Sequence, residues 1–216
     1  GDFLNYWVIA DLLGTLQKFA VEDEKLRAQL GLSLDTEKLD HLARHLSQES
    51  CFFGYLDGCG DYAALVGRVR ERILTYRKYI NMNLKDGLPD SVKTTVSVIG
   101  EPISRLSGAL KDVGILDRDT EVYVRVDQYE QLATLNTGES SFGDFCRDVT
   151  HKLLASRDTR VSYRFGTRQY AWPETPKIYG TQDVLEHKRD YSIIDIDDKL
   201  RRKEDVRTWI FPAFAK

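Results

Sequence analysis

Hydrophobic positions in the first part of the chain recur with a helical period. Residues 3–20 carry Phe3, Leu4, Trp7, Val8, Leu12, Leu13, Leu16 and Phe19 on that period with few polar positions between them, which predicts a mostly buried opening helix. Leu39, Leu42, Ala43 and Leu46 stand at i, i+3, i+4 and i+7 and predict an amphipathic helix over 36–47. Behind Asp61, a residue suited to an N-cap, the positions Tyr62, Leu65, Val66, Val69, Ile73, Tyr76 and Ile80 keep one face, the strongest periodic signal in the chain. Together these predict a helical half, residues 1 to about 84. The segment KDGLPDSV (85–92) has turn chemistry, since Gly87 and Pro89 interrupt a helix.

From residue 85 onward the period alternates. Ile103, Leu106, Leu110 and Val113 form a helix face that Gly114 closes as a C′ residue, and Val122, Val124 and Val126 then alternate as a strand. Phe142, Phe145, Val149 and Leu153 predict the next helix, and Val161, Tyr163 and Phe165 the next strand. Tyr191, Ile193, Ile194 and Ile196 predict a third strand, with Asp197 or Asp198 capping a last helix. Strands separated by helices of this length need crossovers, so the expectation is an α/β fold with a mainly parallel sheet over 85–216. All three strands should lie in one sheet, the first beside the second. Ligands in such sheets sit at the carboxyl ends of the strands, where Asp127, Gly166, Thr167, Arg168 and Asp197 fall. Arg125 should share a sheet face with Asp127, near a strand edge or beside an acid such as Glu121.

A hydrophobic strand that ends in Asp127 and continues Gln128, Tyr129, Glu130, Gln131, Leu132 resembles the Walker B segment of P-loop ATPases of the STAND and AAA+ type, where DQFEEL-like sequences occur. Downstream, RVSYRFGTRQYAW (160–172) looks like the next strand of that sheet with its polar, sensor-type end. The stretch DYSIIDIDDKLRRKED, with WIFPAFAK beyond it, is similar to the next part of the chain in bacterial ATPases related to the origin-recognition type. The resemblance covers roughly residues 100–216. It implies a partial P-loop NTPase-like three-layer fold with an N-terminal helical layer, residues 1–84 being an insertion or accessory layer, and a site for ATP and Mg²⁺. By the same resemblance Asp127 holds the metal, directly or through water, and Thr167 or Arg168 senses the γ-phosphate. In most AAA+ proteins a second acid comes immediately after the aspartate. Here that position is Gln128, which accepts no proton, so Glu130 substitutes as the acid or Gln128 positions the attacking water by hydrogen bonding alone.

The chain departs from that family upstream. A P-loop needs G-x-x-x-x-G-K-[ST], and no Gly-Lys dipeptide occurs among the 216 residues. GYLDGCG (54–60) is rich in glycine but has no lysine and no apolar strand before it, and is expected to be a turn between helices. Either the chain is a piece of a larger ATPase, whose partners are the P-loop and lid segments of the same protein, or it is a degenerate domain that binds no nucleotide. The opening directly on a buried helix favours the first. The competing class is a catalytically inactive interaction or scaffold module built on the same sheet. Oligomerisation stays open, and a role in antiviral defence rests on family association alone.

Composition narrows the partners. With 31 basic and 34 acidic residues the net charge is −3, so no global field draws nucleic acid or an anionic membrane, and a nucleic-acid partner would need a local patch. The basic runs RVRER (68–72) and KLRRK (199–203) interleave with acids and are expected to be solvated helix faces. No apolar stretch approaches the ~20 residues of a membrane span, and with three cysteines the expectation is a cytoplasmic protein with free thiols. His41, His45, Cys51 and Cys59 suggest zinc, but Cys-x₇-Cys is an unusual spacing and the reading is declined. Cys146, His151 and His187 form no convincing nucleophile and base, and Trp172 is expected in the core.

Overall fold

The computed structural model describes residues 1–21, 24–82, 87–136, 141–156, 158–196 and 198. In chain order its helices are α1 (Asp2–Val21), α2 (Glu24–Gln29), α3 (Thr36–Ser47), α4 (Tyr62–Met82), α5 (Asp90–Lys93) and α6 (Glu101–Asp112). Strand β1 (Val122–Val126), helix α7 (Phe142–Ala155) and strand β2 (Val161–Phe165) come after them. Among the described residues no helix is long and apolar enough to cross a membrane. The protein is a mixed α/β chain in which helices dominate.

The helices form where the period places them. Asp35 caps α3, its carboxylate accepting from the Lys38 N–H at 2.8 Å, and Leu39, Leu42, Ala43 and Leu46 are buried on one face. Gly114 adopts φ +70 after α6, and the Ile115 N–H reaches back to the Leu110 carbonyl at 2.9 Å, the closure expected of a C′ glycine. Residues 54–60 form turns beside a short 3₁₀ segment, Ser50–Phe52. Helices α1, α3, α4 and α6 pack into a single core that includes Ile9, Leu13, Leu42, Leu65, Val69, Leu106, Leu110 and Ile115. The helical core thus extends past residue 84 to include α6.

The buried face of α1 coincides only in part with the one the apolar period marks, at Leu13 and Leu16. Asp2, Asn5, Tyr6, Ile9, Leu13 and Leu16 point inward, whereas Trp7 is 44% exposed and Leu4, Val8 and Leu12 are half-buried. The reason is a polar centre. Arg72, from the run expected to be solvated, is fully buried on α4, while Arg68 and Arg70 in the same run are exposed. Its Nε donates to Asp2 Oδ2 at 2.9 Å, its Nη1 to Thr95 Oγ1 at 2.8 Å, and its Nη2 to the carbonyls of Val92 and Thr95 at 3.2 and 2.8 Å. The Tyr76 hydroxyl and the Ser97 N–H and hydroxyl complete the shell of the Asp2 carboxylate. The guanidinium also sits 4.6 Å from the Tyr55 ring centroid and 5.3 Å from that of Tyr6. Asn5 donates to Ser97 and Val98 and accepts from the Gly100 N–H. The start of α1 is therefore fastened to α4 and to residues 92–100 by hydrogen bonds that leave few of these buried polar groups unpaired.

Strands β1 and β2 pair in parallel in the register Val122↔Val161 through Val126↔Phe165, with α7 in the connection between them. Adjacency and direction are those the alternating valines and the crossover predict. Side chains at 122, 124 and 126 are half-buried, whereas Tyr123, Arg125 and Asp127 are exposed. Arg125 thus shares the face of Asp127, and it needs no buried partner because that face is open to solvent. The guanidinium of Arg164 lies 3.9 Å from the Tyr123 ring centroid on the same surface. At the entry to β2, Asp158 binds Arg160 and accepts from the Ser104 hydroxyl, and Ser107 donates to the Arg160 carbonyl at 2.8 Å, tying the strand to α6. The Arg160 guanidinium holds the Asp158 carboxyl well below the usual carboxylate range.

The expected third strand does not form. Lys188 takes a left-handed φ of +70, its N–H donates to the Tyr191 carbonyl, and Tyr191 makes only an isolated bridge to His187. This local turn engages the Tyr191 carbonyl at the start of the expected strand, no strand pairing forms over 192–196 among the described residues, and Ile193, Ile194 and Ile196 remain exposed. Asp198 donates its N–H to Asp195 Oδ1 at 3.1 Å, while Asp197 and the rest of the expected last helix lie outside the described residues.

Candidate functional site

The register of β1 and β2 sets their carboxyl ends side by side. The Gly166 N–H donates to the Val126 carbonyl at 2.8 Å, and the Tyr129 N–H donates to the Gly166 carbonyl at 3.1 Å, so the chain leaving β1 folds over the end of β2. A Cβ at Gly166 would lie 2.9 Å from Asp127 Oδ1, the end of an exposed side chain, and 3.8 Å from the Asp127 Cα, so a larger residue here would displace the carboxylate rather than the strands. The exposed Asp127 accepts from the Gln128 N–H at 2.9 Å. Gln128 is exposed and adopts φ +55, a left-handed conformation that few non-glycine residues take. The half-buried Thr167 donates its hydroxyl to the Arg168 carbonyl at 3.3 Å.

Arg168 and Glu130 meet across the two strand ends, Nε to Oε1 at 3.7 Å. They lie on one wall of an open cleft of ≈ 520 Å³ shared with Thr134, Arg147, Tyr170 and Trp172. Two side chains of its lining each carry a buried polar atom without a hydrogen-bond partner among the described residues, Glu130 Oε2 and Trp172 Nε1. Such atoms cost about 1–3 kcal/mol each when left unpaired. Arg147 pairs with Asp144 on α7.

Behind the cleft lies a buried aromatic cluster that sequence reasoning missed. The Tyr129 hydroxyl sits 2.5 Å from His151 Nε2, and His151 Nδ1 sits 2.7 Å from the Lys177 carbonyl. A carbonyl only accepts, so Nδ1 carries the proton of the neutral ring and Nε2 accepts from Tyr129. Trp172 is half-buried and packs at tilted or edge-on angles against Tyr129, His151 and Tyr191 with ring centroids 5.1–5.4 Å apart. The spacing of Tyr129 and His151, one after β1 and the other on α7, gives no sequence signal, because the crossover brings them together.

Burial pushes the His151 imidazole below its ordinary value of 6.5. As pH falls through that value the unfolded chain takes up a proton that the folded ring refuses, so stability is fully present above about pH 6.5 and declines below it by up to about 1.4 kcal/mol per pH unit. Urea midpoints taken between about pH 7 and pH 5 should therefore fall more steeply for the wild type than for His151→Gln. Parallel slopes would show that another group governs the decline.

Asp127 offers one exposed carboxylate, a hard oxygen donor of the kind Mg²⁺ takes from protein while phosphates and waters fill its other positions. Among the described residues no group of three or more His, Cys, Asp or Glu could hold a metal ion. Asp127 therefore suits Mg²⁺ only as one ligand beside a phosphate. Compared with family descriptions, curated proteins and solved structures, the chain matches none.

Proposed function

We propose that the ends of β1 and β2 are the Walker B and sensor side of a nucleotide site in a STAND or AAA+-like ATPase, with the phosphate cradle supplied from outside these 216 residues. One observation carries the reading: Asp127 and the Gly166-Thr167-Arg168 turn lie side by side at the carboxyl ends of adjacent parallel strands, where open α/β sheets bind ligands. Bound Mg²⁺ supplies charge neutralisation at the phosphates. Asp127 would hold it, directly or through water, and Glu130 would act as the acid or Gln128 would position the attacking water. Thr167 and Arg168 face the terminal phosphate, and the flexible Arg168 is 70% exposed and so free to move toward an anion.

In protein that includes the phosphate cradle, Asp127→Asn is expected to lower ATP hydrolysis by about 100-fold or more while changing ATP binding little, because the lost charge acts on the transition state. Phosphate release and titration of a fluorescent ATP analogue measure the two. The 216-residue chain alone should show little Mg²⁺-dependent binding, since the cradle contributes most of the oriented donors. Tight Mg²⁺-dependent binding by the chain alone would overturn the division of the site. A second reading, an inactive scaffold on the same sheet, is favoured by Gln128 standing where an acid is usual. Unchanged hydrolysis in Asp127→Asn protein would select it.

A further inference from the structure

Helix α1 carries more apolar surface than the core takes up. Tyr6, Ile9, Leu13 and Leu16 point inward, while Leu4, Trp7, Val8 and Asp11, at i, i+3, i+4 and i+7, form a second stripe that is exposed or half-buried. A helix apolar on both sides is ordinarily covered on both. Trp7 and Asp11 face α4 across an open groove of ≈ 340 Å³, lined also by Ala10, Arg70, Leu74 and Arg77. The two helices run antiparallel, since Asp2 accepts from the Tyr76 hydroxyl and the Leu13 carbonyl from the Tyr62 hydroxyl. Arg70, Leu74 and Arg77 share one side of α4 and are all exposed, Leu74 by 54%. The Arg77 guanidinium lies 4.7 Å from the Trp7 ring centroid. Among the described residues Asp11, Arg70 and Arg77 make no ion pair, either with each other or with another group.

We propose that this face joins two copies of the chain about a two-fold axis, with Trp7 and Leu74 of each copy packed against the other and Asp11 of each facing Arg70 and Arg77 of the other. A two-fold contact lays one patch on itself, so the patch must hold both members of every pair. This one does, because an acid, two bases and apolar side chains line a single groove. An acidic partner helix would satisfy the arginines and leave Asp11 against like charge, and a basic one would do the reverse. A second copy supplies both signs at once. Trp and Arg are also the residue types that most often anchor protein interfaces. The size is adequate as well. With 20 residues in α1 and 21 in α4, each helix is about 30 Å long, and a pair about 10 Å apart presents roughly 600 Å², near the ~800 Å² per partner of a standard interface. The proposal goes beyond the ATPase reading and does not rest on it, because it uses only α1 and α4 and needs neither nucleotide nor metal.

Sedimentation velocity of the 216-residue chain, from micromolar to millimolar concentration, tests the contact. The expected result for the wild type is a reversible equilibrium of monomer and dimer. Asp11→Arg sets like charges together at both symmetric contacts, and so does the double variant Arg70→Glu, Arg77→Glu. Each alone is expected to raise the dimer dissociation constant about tenfold or more. Mixed in equal amounts, the two variants are expected to recover the dimer, since each then offers the charge that the other lacks. All three positions are exposed, so both variants should keep the urea midpoint of the wild-type monomer. A wild type that stays monomeric at millimolar concentration, a dimer unchanged in both variants, or a mixture no more dimeric than its parts overturns the proposal. Binding of a synthetic Glu/Leu-rich amphipathic peptide by a monomeric wild type overturns it too, and assigns the face to another partner. Failure of the ATPase reading would appear instead in the hydrolysis of Asp127→Asn protein.

Discussion

Arg72→Met is expected to destabilise the protein by about 3–5 kcal/mol, measured by urea denaturation. The side chain is fully buried, and its removal leaves the Asp2 carboxylate, 3% exposed, without its countercharge. It also leaves the carbonyls of Val92 and Thr95 without this donor. Arg72→Lys should recover little, because a single ammonium cannot span Asp2, Thr95 and Val92 as the planar fork does. The double variant Asp2→Asn, Arg72→Met should be more stable than the sum of the single losses predicts, since it removes the stranded charge together with its partner. A loss below about 1 kcal/mol for Arg72→Met would mean that water reaches the pair.

The second large effect is expected at Tyr129. Its ring is 1% exposed and touches those of His151, Phe165 and Trp172. Tyr129→Ala should cost about 3–5 kcal/mol through the lost burial and the cavity left behind. Tyr129→Phe keeps the ring but leaves His151 Nε2 buried without its donor, at a cost of about 1–3 kcal/mol. Comparing the two by denaturation separates packing from hydrogen bonding. Equal losses would show that the hydroxyl carries the whole effect.

The same residues explain what the sequence disclosed and what it hid. Apolar residues at helical spacing marked α3 and α4, and alternating valines marked β1, because in these elements the apolar positions are the ones turned inward. Asp2, Asn5 and Arg72 were illegible, since a charged residue in a helical pattern reads as a solvent face until its partner is known. That partner lies 70 residues away. The isoleucines at 193, 194 and 196 imitated a strand, but pairing is a tertiary property and no strand lies beside them among the described residues. At the candidate site, Asp127, Thr167 and Arg168 were legible as strand-end residues. The tight contact at Gly166, the Tyr129–His151 pair and the unpartnered Trp172 N–H emerged only from the crossover geometry.

The Asp2 contacts carry a consequence for biosynthesis. The carboxylate is bound by the Ser97 N–H, 95 residues further along the chain. At translation rates of about 5–20 residues per second, roughly 5–20 s separate the appearance of the two partners at the ribosome. Through that interval the inward face of α1, with Tyr6, Ile9 and Leu13, has no completed core to enter. The first helix can therefore pack on α4 once residues near 82 emerge, but its start is locked in place only when residues near 100 have followed.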